Sequence, residues 1–496
     1  MVYLPDVSVL GVLIAISACL FAWLWIRSRR PKDFPPGPTP LPFIGNLNQF
    51  SGDPNILNVF RKLRIQYGNM FTMSLGSFWV IVVNGADNIK DLLLSKGDFV
   101  SDRPPLFINT LIDNPGVSLA NGSSWKQQRI FALSKLRDFG FGKRSYEPKI
   151  VEEIEIFLKY IEDFNGKPFE FFETVNISVS NNIMSIVVGH RFDYNDPRFK
   201  YFIGLQQETF KDAAFSGPVN FIPLLAKIPG DAFRVKQIAK NVGKNVQLFK
   251  DEVQEHKATY DENDIRDFSD AFLKEIALHK HEKDTIFTEN QLVWLIGDFF
   301  ATGTETVSTA IKWAVMFLLN NFNVQCKMRK EIEQVVGNSR LPQLSDKTDM
   351  PYCDAVVYEV LRLGNIVPFG SPYYAKDDFS FKGYRFPKNS IIMASLDSIL
   401  INEDDFQNCN EFLPERFIDA EGRLVGVEKV MAFSLGQRRC LGESLARMEL
   451  FLYLTGLVQR FDLLPPVGEN PPVIEGLVGI LHSPVPYTFR AVARNM

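Results

Sequence analysis

The sequence contains only five cysteines, and no two are close together: Cys19, Cys326, Cys353, Cys409 and Cys440. Without a C-x-x-C pair, zinc-knuckle and thioredoxin-like sites are excluded. Few, scattered thiols suit a reducing compartment rather than a disulfide framework. Histidine is equally scarce. His190, His256, His279, His281 and His482 form no H-E-x-x-H and no other zinc-site spacing. An excess of either charge is also missing: the net charge is −4, and nothing global points to nucleic acid. No Rossmann or flavin motif is present, so any electrons the chain uses come from outside it. There is no repeat period, no low-complexity tract and no linker that would split the body.

What is present is apolar bulk. Apolar residues make up 46% of the chain and phenylalanine alone contributes 43 positions, enough for a large core. Many buried rings suit an ordinary core and also a large apolar cavity. Phe71-Thr-Met-Ser-Leu75 and Trp79-Val-Ile-Val-Val83 read as a strand pair joined by Gly76-Ser-Phe78. Residues 120–340 are mainly helical in period, 370–400 return to short strands around Gly383 and Pro387, and the last 30 are proline-rich and strand-like. The expected fold class is a mainly α body with small β-sheets.

Val7 to Ile26 is a run of twenty residues without a charge, followed at once by Arg27, Arg29, Arg30 and Lys32. As a helix it would be about 30 Å long, enough to cross a bilayer. The positive-inside rule then places everything after residue 30 in the cytosol. A cleavable signal peptide is the rival reading, but the basic leading segment and small-residue cleavage site are missing. On this topology the sequons Asn121-Gly-Ser123 and Asn176-Ile-Ser178 carry no glycan. The stretch Phe34-Pro-Pro-Gly-Pro-Thr-Pro-Leu-Pro-Phe-Ile-Gly45 forbids helix and favours a stiff extended linker. These features divide the chain into an anchor (1–30), a proline-rich hinge (31–48) and a single body (49–496).

Thr288-x-x-Gln291 is a capping-box pattern. It opens a helix expected to run to about Leu319, unusually long for a globular body. This helix is apolar nearly all round, which predicts burial through the middle of the molecule. A second membrane span is the alternative, and Asp298, Glu305 and Lys312 make it costly. At its centre, Gly303 and the hydroxyls of Thr302, Thr304 and Thr306 are poor helix material. Such hydroxyls compete for backbone carbonyls and bend helices. One reading is a packing kink. The other is a proton-delivery site, with the acid Glu305 and the alcohol Thr306 in one widened turn.

Phe433-Ser-Leu-Gly-Gln-Arg-Arg-Cys-Leu-Gly442 reads as a glycine-bounded loop leading into a helix over Ser444 and beyond. A thiolate there gains from the helix dipole, and Arg438 and Arg439 are expected to lower the pKa of Cys440. Taken alone, the thiol also fits a buried, inert cysteine. The complete motif matches the F-x-x-G-x-R-x-C-x-G signature, and the chain resembles the cytochrome P-450 superfamily along its length, most closely the microsomal family 2 enzymes and their clan. Trp125-Lys-Gln-Gln-Arg129 resembles the W-x-x-x-R helix, Thr302-Gly-Thr-Glu-Thr306 the oxygen-activation motif, Glu359-Val-Leu-Arg362 the E-x-x-R motif, and Pro414-Glu-Arg-Phe417 the P-E-R-F element.

The resemblance implies haem b between the long helix and the cysteine loop, with Cys440 on the iron and Arg103, Trp125, Arg129 and Arg438 on the propionates. The glycines of the loop would let its backbone pass close beneath the porphyrin. Glu305 and Thr306 would deliver protons. Phe107, Leu119, Asp298, Thr302, Val367 and Ile480 would line the substrate cavity, and Glu359, Arg362 and Arg416 would form a buried charge network. The implied activity is insertion of one oxygen atom of O₂ into a lipophilic fatty acid, steroid or foreign compound. Electrons would come from a membrane-bound NADPH-dependent reductase, with cytochrome b5 as a further candidate donor. Lys126, Lys135, Arg137, Lys143 and Arg144 are candidates for the docking face, and the endoplasmic reticulum membrane is the implied location.

Two positions depart from the pattern. Thr302 stands where the oxygen-activation motif usually opens with Ala or Gly, and should crowd the cavity or add a hydrogen bond. Tyr373 stands where a propionate-binding His or Arg is common, and brings a donor without a charge. The rival functions are a haem-thiolate isomerase or lyase working without O₂, and a non-catalytic membrane haem-binding protein.

Overall fold

The computed structural model describes residues 11–12, 14–15, 17–18, 25, 29–53, 55–215 and 217–494. The run Val7–Ile26 falls mostly outside them. Among the described residues no helix is long and apolar enough to cross a membrane, which sets aside the membrane-spanning reading of 291–319.

The first half comprises α1 (Ile56–Tyr67), β1 (Met70–Leu75), β2 (Phe78–Val83), α2 (Ala86–Ser95), α3 (Gly122–Asp138), α4 (Glu147–Glu162), α5 (Phe172–Val187), α6 (Pro197–Phe215), α7 (Gly217–Phe221) and α8 (Val235–Thr259). The second half comprises α9 (Phe268–Leu278), α10 (Glu289–Asn320), α11 (Phe322–Val335), α12 (Pro351–Gly364), β3 (Tyr373–Tyr374), β4 (Phe379–Phe381), β5 (Tyr384–Phe386), β6 (Ile391–Ala394), α13 (Asp397–Leu400) and α14 (Glu443–Arg460), closed by β7 (Phe461–Leu464), β8 (Gly476–Val478), β9 (His482–Pro484) and β10 (Arg490–Ala493).

The main sheet has the order β1-β2-β6-β3, with β2 and β6 parallel and the outer pairs antiparallel. Strand alternation divides its side chains. Val80 and Val82 pack with Phe60 and Leu63 of α1, while Ile81 and Val83 join the helical core. The proline-rich stretch is docked onto this sheet. The Thr72 N–H donates to the Pro36 carbonyl at 2.7 Å, and the Asn46 N–H donates to that of Ser74 at 2.6 Å. Gly37 is required there, because a Cβ would lie 1.9 Å from the Thr72 carbonyl oxygen.

Helix α10 is the axis of the body and packs against α5, α8, α12 and α14. Its start is as expected: the Thr288 hydroxyl accepts the Gln291 N–H at 3.1 Å. The Gln291 side chain does not reciprocate, donating instead to Gln128 at 3.2 Å. The helix is α-helical throughout and its central turn is not widened. The hydroxyls of Thr302, Thr306 and Ser308 each donate to the carbonyl four residues back, at 2.7, 2.8 and 2.8 Å. Gly303 has a packing reason, since a Cβ there would lie 3.2 Å from Ile183 of α5.

A second buried polar network joins α14 to α5. The Asn182 amide donates to the Tyr453 hydroxyl at 3.1 Å, and that hydroxyl meets Ser178 Oγ at 2.6 Å. Beside it, burial pushes the pKa of Glu449 up to about 8, against a side-chain hydrogen bond from Asn182. A carboxyl raised on folding binds its proton in the native state while the unfolded chain has lost it. Native stability therefore falls as pH rises from the ordinary 4.5 to about 8. Glu449→Gln is expected to remove that fall. The thermal midpoint of the variant should gain on wild type across this window, and a pH-independent difference would contradict the assignment.

Candidate active site

The thiol loop precedes α14. Its backbone turns through positive φ at Ser434 (59°) and Gly436 (73°), and the Cys440 N–H closes it on the Phe433 carbonyl at 3.0 Å. Gly436 is demanded by that φ and by α2, since a Cβ would sit 2.6 Å from the Leu93 carbonyl oxygen. A Cβ at Gly442 would meet Cys440 Sγ at an ordinary 4.0 Å. Within the chain itself, then, the glycine with a steric reason is Gly436, and the reason is α2.

The Cys440 side chain is exposed, yet the apolar packing around it pushes its thiol up, opposed by the N–H groups of Gly442 and Glu443 and by Arg129. This corrects the expectation that Arg438 and Arg439 lower it. Arg438 turns away to the carbonyls of Ser101 and Ala120, at 2.6 Å each, and Arg439 pairs with Glu443 at 2.6 Å. The cation that acts on the sulfur is Arg129, whose guanidinium also donates to the Arg439 carbonyl at 2.6 Å.

Three guanidinium groups gather here. Arg103 reaches the carbonyls of Ser118, Ser371 and Pro372 at 3.2, 2.9 and 2.9 Å, and lies 5.0 Å from the ring centroid of Tyr373. Arg438 lies 3.8 Å from that of Trp125. Burial first, and then repulsion from Arg103 and Arg129, pushes Arg438 down to about 9, with Asp102 opposing. The Trp125 indole N–H is buried and has no hydrogen-bond partner. The Tyr373 hydroxyl meets Ser434 Oγ at 3.1 Å, so it braces the thiol loop.

The loop that holds these arginines also holds α10. Asp298 accepts the Ser118 N–H at 2.9 Å and the Ser118 hydroxyl as well, while burial pushes its carboxyl up. Asp298, Thr302 and Thr306 are spaced four apart and form one stripe, linked by the two threonine back-bonds. Thr302 is exposed although its helix is largely buried, so the stripe borders an opening in the core beside the arginine loop. The Thr302 hydroxyl is spent on the Asp298 carbonyl. Glu305 faces elsewhere: its carboxylate accepts from Asn176 of α5 at 3.1 Å.

The other nominated residues are tied in at one remove. Ile108 next to Phe107 donates its N–H to Asn220 of α7 at 3.0 Å, and Leu119 lies in the arginine loop. The His482 N–H donates to the Ile366 carbonyl at 2.8 Å, and the Trp313 indole to the His482 carbonyl at 2.9 Å. Those bonds seat the β8–β9 hairpin, which carries the half-exposed Ile480, against the segment of Val367 and against α10. Behind them Arg362 makes a bidentate pair with Glu359 at 2.7 and 2.8 Å, both fully buried, and Arg416 Nε donates to Glu359 at 3.1 Å.

The family description "Cytochrome P450" matches residues 35–491 of this sequence. Similar proteins include cytochrome P450 2D4 of Rattus norvegicus, 37% identical over 476 residues and 94% of each chain. Cytochrome P450 2D15 of Canis lupus familiaris is 36% identical over 486 residues, covering 96% of each. Cytochrome P450 2D6 of Homo sapiens is 35% identical over 493 residues, covering 98% of each. The chain belongs to the cytochrome P450 family.

As a cytochrome P450 it is a haem-thiolate monooxygenase, dependent on a redox partner and acting on lipophilic substrates. The residues present fit the haem of the family. Three cations that repel one another and one orphaned indole N–H suit two propionates. A loop thiol with helix N–H groups and Arg129 directed at it suits an anionic ligand to iron. Sequence reasoning missed Ser118, which carries no local signal, and read Asn121 only as a sequon; their side chains hold the arginine loop to α10 and to Arg103. Asn176 was singled out as a sequon; it is fully buried with both amide atoms bonded, which leaves no room for a glycan.

Proposed function

We propose that Cys440 is the iron ligand, that Arg103, Trp125, Arg129 and Arg438 hold the propionates, and that the Asp298–Thr302–Thr306 stripe borders the oxygen and substrate side. The observation that carries this reading is the shared loop: Arg438 is bound to Val117 and Ala120, and Asp298 to Ser118 between them. One short segment thus fixes the thiol loop relative to the middle of α10. When bound, the haem supplies oxygen activation, and the thiolate makes its iron electron-rich. The chain's own part is to position substrate and supply protons. Thr306 holds a hydroxyl on the stripe, and Glu305 one residue away is the proton store. Thr302 narrows the cavity with its methyl group, because its hydroxyl proton is committed to Asp298.

Phe107, Leu119, Val367 and Ile480 make the cavity predominantly apolar, which favours a fatty acid, steroid or foreign compound as substrate. The electron donor on this reading is an NADPH-dependent reductase, aided by cytochrome b5, docking on the exposed cations Lys126, Arg137, Lys143 and Arg144 with Lys135 beside them. Val7–Ile26 would anchor the chain in the endoplasmic reticulum membrane with the body in the cytosol, and the docked proline segment would set the angle between them.

Thr306→Ala is expected to make peroxide the main outcome of NADPH consumption, because a positioned proton donor contributes about 10²–10⁴-fold to its step. The assay uses reductase-supported turnover across a panel of lipids and drug-like compounds, which also identifies the substrate class. Unchanged coupling would move the proton route away from Thr306.

A further inference from the structure

Glu305 and Lys312 are ionisable residues enclosed in the apolar second half of α10, each only about 5% exposed (6% and 5%). Seven residues is nearly two turns, so they share a face, about 100° around the helix from Thr306. That face meets α5, where Asn176 sits between them. The Asn176 amide donates to Glu305 Oε1 at 3.1 Å, and its carbonyl oxygen accepts from Lys312 Nζ at 2.7 Å. An amide is the side chain that can do both at once, donating to an anion with one end and accepting from a cation with the other. Asn176 is itself completely buried. Lys312 is held further, with its ammonium 5.0 Å from the ring centroid of Phe172 and its carbonyl accepting the Tyr487 hydroxyl at 2.5 Å.

The charges around this bridge are few. Burial pushes Glu305 up and Lys312 draws it back. Burial pushes Lys312 down to about 8, against Glu305 and Glu170. Glu305 is thus held by Asn176 directly and by Lys312 through it, and neither partner lies on the Thr302–Thr306 stripe.

We propose that Asn176 and Lys312 are positioning residues for proton supply: together they hold the Glu305 carboxylate against α5 and fix where on α10 its proton resides. This rests on the reading of Glu305 as the proton store. It predicts that coupling of NADPH consumption depends on two residues with no contact to substrate or cofactor.

The test compares Lys312→Met, Lys312→Arg, Asn176→Leu and Glu305→Gln in the haem-loaded full chain. The first readout is the infrared band of the protonated Glu305 carboxyl, assigned by its loss in Glu305→Gln and titrated in the resting ferric protein. Its midpoint should rise by about 1–3 pH units in Lys312→Met, the size of a lost ion-pair partner, and Lys312→Arg should restore it. Asn176→Leu should also raise it, and serves if Lys312→Met fails to load haem. The second readout is peroxide released per NADPH consumed, against pH, with reductase and laurate as the lipophilic probe. Its profile should move in the same direction as the infrared midpoint. An unmoved midpoint in both Lys312→Met and Asn176→Leu overturns the positioning proposal. A moved midpoint with Glu305→Gln leaving the peroxide ratio at the wild-type value overturns instead the reading of Glu305 as the proton store.

Discussion

Replacing Cys440 with alanine should abolish monooxygenase turnover altogether while leaving a folded chain. The two parts of the expectation have different origins. Turnover is lost because the other described thiols are committed elsewhere: Cys326 is exposed on α11, Cys409 is buried, and Cys353 is buried and held on the Met328 carbonyl at 3.7 Å. The chain survives because the loop is shaped by groups other than the thiol. Gly436 against Leu93, the Cys440 N–H on Phe433, and Arg438 on Ser101 and Ala120 all persist in the variant. Residual haem, held by the guanidinium groups, should still be detectable but with thiolate ligation gone. Retained turnover in the variant, measured with reductase and the best substrate of the panel, would contradict the assignment.

The second large effect is on stability. Glu359→Gln should lower the unfolding free energy by about 3–5 kcal/mol, the scale for removing one partner of a fully buried ion pair. Among the described residues Glu359 is the sole anion hydrogen-bonded to Arg362 and Arg416, and it also accepts the Leu413 N–H at 2.9 Å. Arg362 meanwhile anchors the carbonyls of Leu400, Cys409 and Glu411 at 3.0, 2.6 and 3.1 Å. Neutralising the anion leaves the wholly enclosed Arg362 without its ion-pair partner, while Arg416 retains only the charge of Glu403. Against a typical native stability of about 5–15 kcal/mol, that is a large fraction. The surface pair Lys327–Glu415 has a shorter contact, 2.6 Å, yet both side chains are about half exposed (51% and 43%). Breaking it should change stability by about 0–1 kcal/mol. Urea midpoints followed by far-ultraviolet dichroism compare the two, and equal shifts would contradict the account.

Much of this architecture was legible where the signal is local. The Thr288 cap and apolar periodicity gave α10 nearly to the residue, and two short strand-like runs joined at Gly76 gave β1 and β2. The ten-residue thiol loop identified Cys440 only as a whole motif. Longer-range features were not legible from local pattern. Asn176 lies 129 residues from Glu305 in sequence, and no periodicity links them. Lys312 stood out as a charge in a largely apolar helix, but it was read only as a cost to membrane insertion; its bond to Asn176 carries no local signal. The proline segment was read as a linker because its composition forbids helix. Its docking on β1 depends on an approach at Gly37 that only the fold creates. The pKa of Cys440 was read from neighbouring arginines in sequence, but those side chains diverge, and the arginine that acts on the sulfur lies on α3.

The most direct measurement is the carbon monoxide difference spectrum of the full-length, dithionite-reduced protein. The account expects the long-wavelength Soret band that marks thiolate-ligated ferrous haem, present in wild type and absent in Cys440→Ala. A correctly folded, haem-loaded wild type without that band, or a Cys440→Ala variant that keeps it, would contradict ligation by Cys440.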